Sequence, residues 1–194
     1  MRISGGRFGG RRLLVPRADV RPTADRVRES LFARLGDLAG KRVLDLFAGS
    51  GALGFEALSR GASHVTFVDR SNGALAVVRA NAAALDVAAR VELHRGEARS
   101  VLRRLAGKAA FDLVFVDPPY AGGTLGGALV GLVAARLLAP GACVVVESDR
   151  RQAPGEVEGL AVIDERRYGD TLITWYVPRG PDPAATSGAE ASET

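Results

Sequence analysis

Five short, nearly continuous apolar runs alternate along this chain with segments of helical pattern, and this alternation restricts the fold more than any other feature. Strands that are apolar throughout are typical of a parallel sheet covered by helices on both faces. The runs span residues 43–47, 65–68, 91–93, 113–116 and 143–146, and the helical patterns span about 53–60, 71–85, 98–106 and 124–138. Two further runs, at 160–163 and 172–177, predict a closing antiparallel hairpin. The pattern therefore predicts an α/β, Rossmann-like fold.

The length and composition fit one domain that remains inside the cell. A chain of 194 residues has little room for two domains. It contains no apolar stretch of about 18 residues and no signal core, so we expect a cytoplasmic protein without a membrane span. Cys143 is the single cysteine, which excludes an internal disulfide and predicts a small core residue.

We predict three parts along the chain: a basic arm over residues 1–20, a catalytic domain over 21–178 and a disordered tail over 179–194. The tail has no periodicity and little apolar content. Paired glycines in the arm indicate turns, and Ile3 and Phe8 with residues 13–15 suggest a short hairpin. A helix should follow Pro22, with Thr23 as its cap.

The positive charge is concentrated at the start of the chain. Residues 1–28 hold eight arginines and two aspartates, a net charge of +6, whereas the whole chain carries +4. Such an arm suggests a polyanionic partner. The candidate phosphate-binding residues are Arg2, Arg7, Arg11, Arg12, Arg17 and Arg21. The alternative is a solvated arm in an arginine-biased protein, which the presence of only two lysines supports.

A glycine-rich loop follows the first predicted strand. Gly49, Gly51 and Gly54 match the G-x-G-x-x-G pattern that lets a backbone approach a nucleotide ligand. Asp69 ends the second strand, where a carboxylate can accept both ribose hydroxyls. Asp45 would repel the pyrophosphate of a dinucleotide but attract an ammonium and a sulfonium. The loop thus favours S-adenosylmethionine over NAD.

Several other residues are candidates for the same cofactor site. Glu97 and Ala98 follow the third strand, where an adenine ring would end, although Glu97 is equally typical of a helix N-terminus. The full set is Asp45, Phe47, Ala48, Gly49, Ser50, Gly51, Asp69, Arg70, Glu97, Ala98 and, on the first helix, Thr23.

The fourth predicted strand delivers the tetrapeptide Asp117, Pro118, Pro119 and Tyr120. An aromatic amine is a poor nucleophile because its lone pair is delocalised into the ring. The Asp117 carboxylate and the Pro118 carbonyl can accept its two N–H bonds and favour a pyramidal nitrogen. The prolines stiffen the turn and remove competing donors, and Tyr120 can stack on a flat base. Catalysis then depends mostly on positioning, so we predict methylation of an exocyclic amine on a nucleic-acid base.

These motifs resemble the class I methyltransferases with a D-P-P-Y motif. The N-terminal stretches GRFGGRRL (residues 6–13) and RPTADRVRESLF (residues 21–32) more specifically resemble the small bacterial 16S rRNA guanine-N2 methyltransferases. The resemblance spans residues 1 to about 178. It implies a seven-stranded, mostly parallel sheet with an antiparallel final hairpin, S-adenosylmethionine as cofactor, and a guanine of 16S rRNA in an assembled or partly assembled small subunit as substrate. It also implies that Asp45, Gly49 and Asp69 hold the cofactor and that residues 117–120 receive the base.

Other functions remain open from the residues alone. A DNA or RNA adenine-N6 methyltransferase shares the motifs from Asp45 to Tyr120, although it usually carries a target-recognition insertion that this chain has no room for. A nicotinamide-dependent oxidoreductase and a non-catalytic RNA-binding protein are further alternatives. His64 and His94 have no ligand partners at metal-binding spacing, so no metal is expected. Glu147 and Ser148, at the end of the fifth strand, either line a base pocket or form an exposed strand end. We expect a monomer.

Overall fold

Seven strands form one mixed sheet in a computed structural model that describes residues 1–15, 22–108, 110–118 and 124–179, with residues 22–26 described by their backbone alone. The strands are β1 (Arg42–Leu46), β2 (His64–Asp69), β3 (Val91–Arg95), β4 (Phe111–Val116), β5 (Leu138–Asp149), β6 (Leu160–Tyr168) and β7 (Thr171–Pro178). Their order in the sheet is β3-β2-β1-β4-β5-β7-β6. Strands β1 to β5 pair in parallel, and β7 pairs antiparallel with β5 and β6. The predicted α/β fold with an antiparallel closing hairpin is confirmed.

Helices cover both faces of this sheet and create two separate cores. The helices are α1 (Pro22–Leu35), α2 (Ala52–Ser59), α3 (Asn72–Ala84), α4 (Ala98–Leu105) and α5 (Thr124–Ala134). Alternate residues of each central strand enter opposite cores: Val43 packs with α1, α2 and α3, whereas Leu44 packs with α4 and α5. No helix among the described residues is both long and apolar enough to cross a membrane.

Some predicted boundaries needed correction. The helix predicted over 124–138 ends at Ala134, because Arg136 adopts a left-handed backbone and the chain then enters β5. Strand β6 continues to Tyr168, well beyond its predicted end, because a strand at the sheet edge tolerates the charged residues of its second half. Arg179, predicted to begin the tail, donates to the Leu160 carbonyl at 2.9 Å. Residues 180–194 and the boundary predicted at residue 20 lie outside the described residues. Cys143 is partly buried, and burial raises the pKa of its thiol to about 11.

The first fifteen residues pack onto the domain. Ile3, Phe8 and Leu13 are at most 5% exposed and belong to the same core as α1, α2 and α3. The predicted short hairpin is present in a minimal form: residues 1–3 and 11–13 pair antiparallel through an isolated bridge between Arg2 and Arg12, and a one-turn 3₁₀ helix at Gly6–Phe8 lies between them. The segment therefore covers the outer surfaces of α2 and α3.

Glu56 of α2 holds this N-terminal segment in place. Its carboxylate is fully buried and accepts the backbone N–H groups of Ser4 and Gly5 at 2.8 and 3.0 Å and the Ser4 hydroxyl at 2.6 Å. Arg60 lies 3.0 Å from one carboxylate oxygen and Arg28 of α1 lies 3.7 Å from the other. One buried carboxylate thus joins the N-terminal segment, α1 and α2.

We predict that Glu56→Ala lowers the free energy of unfolding by about 3–5 kcal/mol, the scale of breaking a buried ion pair and leaving its partners unpaired. Urea unfolding measures this loss. Glu158→Ala removes an exposed carboxylate and should change stability by less than about 0.5 kcal/mol. A loss below about 1 kcal/mol for Glu56→Ala would show that the N-terminal segment is held by its apolar residues alone.

Candidate functional site

A cavity of about 540 Å³ opens at the carboxyl ends of β1, β2 and β4. The chain reverses its direction of progress across the sheet between β1 and β4, and open α/β sheets bind ligands at this point. Most of the residues predicted for the cofactor line the cavity, namely Asp45, Phe47, Ala48, Gly49, Ser50, Asp69, Arg70, Glu97 and Ala98. The site and the topology therefore agree on one location.

The glycines of the loop have separate structural roles. A Cβ on Gly54 would lie 2.3 Å from the Phe67 ring, and one on Gly51 would lie 2.7 Å from the Phe55 ring. These two glycines therefore let α2 approach β2 closely. Gly51, predicted as a cofactor residue, is not among the described residues that line the cavity, because this packing directs it toward the core. Gly49 does line it, with a left-handed backbone at φ 53°.

Asp69 is oriented by the loop that it faces. One of its oxygens accepts the Gly49 N–H at 3.0 Å, and the other accepts the Ser71 N–H at 2.7 Å. A carboxylate has about four acceptor positions, so each oxygen retains one for another donor. Asp69 is thus fixed in position and can still accept the hydroxyls of a ribose.

Asp45 is a buried acid in the floor of the cavity. It is 2% exposed, and one oxygen accepts the Gly54 N–H at 3.0 Å. Burial raises the pKa of Asp45 from 3.8 to about 8, and the neighbouring Asp69 also raises it, whereas the hydrogen bond from Gly54 lowers it. Its ionised form is therefore costly, and a cation in the cavity would favour it.

The charges that line the cavity suit a cationic ligand. Five carboxylates (Asp45, Asp69, Glu97, Asp117 and Glu147) and two arginines (Arg28 and Arg70) are among its described lining residues. Even with Asp45 protonated, this excess of acids would repel a pyrophosphate, whereas an ammonium or a sulfonium would be attracted and would favour the ionised form of Asp45. Among the described residues, no group of three or more histidine, cysteine or acidic side chains is placed to hold a metal ion.

The first half of the predicted catalytic tetrapeptide meets the cofactor residues in this cavity. Asp117 and Pro118 line it at the end of β4, and the Asp117 N–H lies 3.5 Å from the Leu46 carbonyl of β1. Pro118 is buried and Asp117 is partly buried. Pro119 and Tyr120 lie outside the described residues, as does the side chain of Thr23.

Sequence reasoning missed one wall of the cavity. Met1, Val27 and Arg28 line it, and Arg28 is only 6% exposed. Arg28 also donates to the Arg2 carbonyl at 2.7 Å. None of these residues belongs to a nucleotide-binding motif, but Val27 and Arg28 lie in the family-like stretch of residues 21–32, on the helix whose Thr23 was a cofactor candidate. They reach the site because Glu56 fastens the N-terminal segment and α1 together.

The four described arginines that were predicted to contact phosphates are not among the residues that line the cavity. Arg2, Arg7, Arg11 and Arg12 are exposed on the N-terminal segment. Arg2 donates to the Gly10 carbonyl and Arg11 to the Ala84 carbonyl, each at 2.6 Å. A guanidinium has five N–H donors, so these bonds leave others for a ligand. Arg17 and Arg21 lie outside the described residues.

Comparisons with known proteins agree with this architecture. A family model described as "Conserved hypothetical protein 95" matches residues 1–177, and the chain belongs to this family. YlbH of Bacillus subtilis is 38% identical over 184 residues, which cover 93% of this chain and all of that protein. Ribosomal RNA small subunit methyltransferase D of Haemophilus influenzae is 33% identical over 179 residues, or 91% and 93% of the two chains. The solved structure of yhhF from Escherichia coli has a TM-score of 0.83 at 35% identity and covers 93% of this chain and 99% of its own.

We predict that Asp45→Asn changes how the stability of the protein, measured without added cofactor, depends on pH. The pKa of Asp45 is higher in the folded state than in the unfolded state, so its stabilising contribution is complete below about pH 4 and is lost as the pH rises toward 8. The free energy of unfolding of the wild type should therefore fall by about 1.4 kcal/mol per pH unit relative to Asp45→Asn within that window.

Urea unfolding at intervals from pH 5 to pH 8 measures this difference. Asp170→Asn removes an exposed carboxylate and should follow the wild type throughout. Parallel curves for Asp45→Asn and the wild type would mean that Asp45 titrates normally in the fold.

Proposed function

We propose that this member of the conserved hypothetical protein 95 family transfers a methyl group to the exocyclic N2 of a guanine in small-subunit ribosomal RNA. The observation that carries the proposal is the meeting of Asp117 and Pro118 with Asp45 and Asp69 in one cavity. The first pair suits an aromatic amine, and the second suits a cationic nucleoside. Relatives named ribosomal RNA small subunit methyltransferase D, which the chain matches over most of its length, support RNA as the substrate class.

S-adenosylmethionine is the cofactor, and the residues present fit it. Asp69, Glu97, Ala98 and Asp45 line one cavity. In this proposal Asp69 would accept the ribose hydroxyls, Glu97 and Ala98 would border the adenine ring, and Asp45 would attract the cationic end. When bound, the cofactor supplies an electrophilic methyl group on a positively charged sulfur. A volume of about 540 Å³ lies within the range of roughly 300–1,000 Å³ that is usual for small-molecule sites.

The protein's own contribution to the reaction is orientation. The Asp117 carboxylate and the Pro118 carbonyl accept the two N–H bonds of the guanine amine, so that the nitrogen lone pair points toward the methyl group. Holding reacting atoms in such a geometry is a large source of rate enhancement. The nitrogen loses one proton after the transfer, and no strong general base is required, because the methylated ammonium is acidic.

Incubation with labelled S-adenosylmethionine tests this function. The substrates are small subunits and naked rRNA from cells that lack the enzyme. After the incubation, nucleoside analysis identifies the product and the modified position is mapped. We expect N2-methylguanine at one position, with subunits modified faster than naked rRNA. N6-methyladenine as the product would favour the adenine-N6 alternative and overturn the proposal.

We predict that Asp117→Ala lowers turnover by roughly 10²–10³, as loss of one aimed polar group in an active site does. Cofactor affinity, measured by calorimetry, should stay within about threefold of the wild type. Asp112→Ala, which removes a partly buried acid at the opposite end of β4, is the matched control and should retain its turnover. Wild-type turnover in Asp117→Ala would contradict the catalytic role and show that the tetrapeptide is only a structural turn.

We also propose that the exposed arginines of the N-terminal segment contact RNA phosphates. Deletion cannot test this, because Ile3, Phe8 and Leu13 are part of the core. The double substitution Arg7→Gln with Arg12→Gln removes two exposed charges and leaves the hydrogen bonds of Arg2 and Arg11 intact.

The double variant should make the slope of log affinity against log salt shallower by roughly 1.4–1.8, if both arginines contact phosphates. Filter binding to naked rRNA between 50 and 300 mM salt measures the slope. Lys108→Gln with Arg136→Gln removes two exposed charges near the amino ends of β4 and β5 and should leave the slope unchanged. Equal slopes for both double variants and the wild type would show that Arg7 and Arg12 do not contact RNA phosphates and that the segment is only a solvated surface.

A further inference from the structure

The exposed face of α4 is strongly basic, although the chain after residue 28 is net negative. Residues 95–104 hold four arginines and one glutamate, a net charge of +3. Three of these arginines are exposed on α4, and the fourth is exposed at the end of β3, directly before the helix. We call these four side chains the α4 surface: Arg95, Arg99, Arg103 and Arg104.

Carboxylates do not neutralise the α4 surface. No ion pair between the described residues includes any of its four arginines, whereas Arg34 and Arg60 each have a carboxylate oxygen, at 2.9 and 3.0 Å. Within the surface, Arg104 donates to the Arg95 carbonyl at 3.2 Å. A guanidinium has five N–H donors, so most donors of the surface remain for a ligand.

Helix stability does not account for Arg99. It is the second residue of α4, where the positive end of the helix dipole disfavours a cation. Arg99 and Arg103 are also four residues apart on one face of the helix, and like charges at this spacing repel each other. A bound anion would offset both effects, because it would place negative charge beside the dipole and between the guanidinium groups.

The α4 surface begins at the cavity that contains the predicted cofactor residues, here called the cofactor cavity. Arg95 precedes Gly96 and Arg99 follows Ala98, and both Gly96 and Ala98 line the cofactor cavity. Arg103 lies one helical turn further from the cavity than Arg99. The four arginines therefore form a basic strip that leads away from the site of the proposed chemistry.

Packing against α5 fixes the stem of Arg99. Its Cδ is 3.1 Å from the position that a Cβ on Gly127 would occupy, so the side chain lies directly across α5. Gly127 is about one turn after Thr124, which begins α5 and lines the cofactor cavity. Arg99 thus lies between the first turns of two helices that both start at this cavity.

The α4 surface and the N-terminal segment lie on opposite faces of the sheet. The buried residues of α4 pack with α5, whereas those of the N-terminal segment pack with α1, α2 and α3. Both faces contribute to the cofactor cavity, through Ala98 and Thr124 on one side and Met1 and Arg28 on the other. A nucleotide in the cavity would therefore have one basic surface on each side.

We propose that the α4 surface binds the phosphate backbone of the substrate RNA on one side of the target nucleotide, opposite to the side that the N-terminal segment binds. This inference rests on the proposed function, from which it takes the RNA substrate, and it adds a second contact surface. The guanidinium fork matches the geometry of a phosphate group. Phosphate contacts position a nucleic acid without reading its sequence. Contacts on both sides of the target would offset the cost of extruding a base from its helix.

A charge-removing double substitution tests the α4 surface. Arg95→Gln with Arg99→Gln removes two exposed charges beside the cofactor cavity. Filter binding to naked rRNA between 50 and 300 mM salt measures the slope of log affinity against log salt. We expect this slope to become shallower by roughly 1.4–1.8 if both arginines contact phosphates. Lys108→Gln with Arg136→Gln is the matched control, because it removes the same charge near the amino ends of β4 and β5 and should leave the slope unchanged.

Methylation kinetics on small subunits separate binding from chemistry. Contacts away from the reacting atoms stabilise the ground state and the transition state alike, so the α4 double variant should raise KM by roughly tenfold and keep kcat within about threefold. Affinity for S-adenosylhomocysteine, the demethylated cofactor, should stay within about threefold of the wild type, the scale of a neutral surface substitution. That measurement and thermal unfolding verify that the variant is folded.

RNA fragments that end near the mapped target nucleotide test the placement on opposite sides. One fragment retains only the 5′ flank of the target, and the other retains only the 3′ flank. The affinity of one fragment should fall in the α4 double variant and that of the other in Arg7→Gln with Arg12→Gln. If the same fragment responded to both variants, the two surfaces would not bind opposite sides of the target.

The outcomes separate this inference from the proposed function. If the wild type forms N2-methylguanine but the α4 double variant keeps the wild-type slope and KM, the inference is wrong and the proposed function stands. An unchanged slope with a raised KM on small subunits would assign the α4 surface to a ribosomal protein and overturn its role in RNA binding. If the wild type methylates adenine N6 or no RNA, the proposed function fails, and the slope still decides whether the α4 surface binds RNA.

Discussion

The hydrogen bond from the Gly54 amide to the buried Asp45 carboxylate determines the shape of the functional end of the molecule. It joins the end of β1 to the first turn of α2 across a nine-residue separation, so the loop between them has little freedom. The close packing of Gly54 against Phe67 brings α2 near enough to β2 for this bond to form. Asp69, which ends β2, then reaches the Gly49 amide. The cavity is therefore a consequence of how tightly one helix packs on two strands.

A second buried carboxylate, Glu56, builds the remaining wall from residues distant in sequence. It holds Ser4 and Gly5 against α2 and lies near Arg28 of α1. Met1 and Arg28 reach the cofactor cavity through this contact. The two acids thus position different parts of the site. Asp45 holds the glycine-rich loop, and Glu56 holds the N-terminal segment and α1, which form the facing wall.

The central sheet was predictable from the sequence because its strands are buried on both faces and read as continuous apolar runs. The position of the glycine loop, Asp69 and Asp117 around one cavity was predictable because each follows a strand of the parallel sheet, whereas their chemical roles stay predictions. The N-terminal segment was not: its four arginines suggest a solvated arm, while Ile3, Phe8 and Leu13 anchor it in the same core as α2 and α3. Likewise, Glu56 lies in an ordinary helical pattern, and nothing local distinguishes a buried hub from an exposed acid. Such roles depend on long-range packing, which motif spacing does not record.

The distribution of charge resolves a difficulty that an RNA substrate poses. RNA is a polyanion, yet five carboxylates line the cavity in which the proposed chemistry occurs. The base is the uncharged part of a nucleotide, and the Watson–Crick edge of guanine carries two N–H donor groups that carboxylates accept. The exposed arginines lie outside the cavity, on the N-terminal segment, where phosphates can remain. Under the proposed function, a target base that leaves its helix to enter the site would exchange pairing with cytosine for hydrogen bonds to acids, while its backbone stays with the cations. The acidic interior would then suit both the base and the cofactor, because both present positive charge or hydrogen-bond donors to carboxylates.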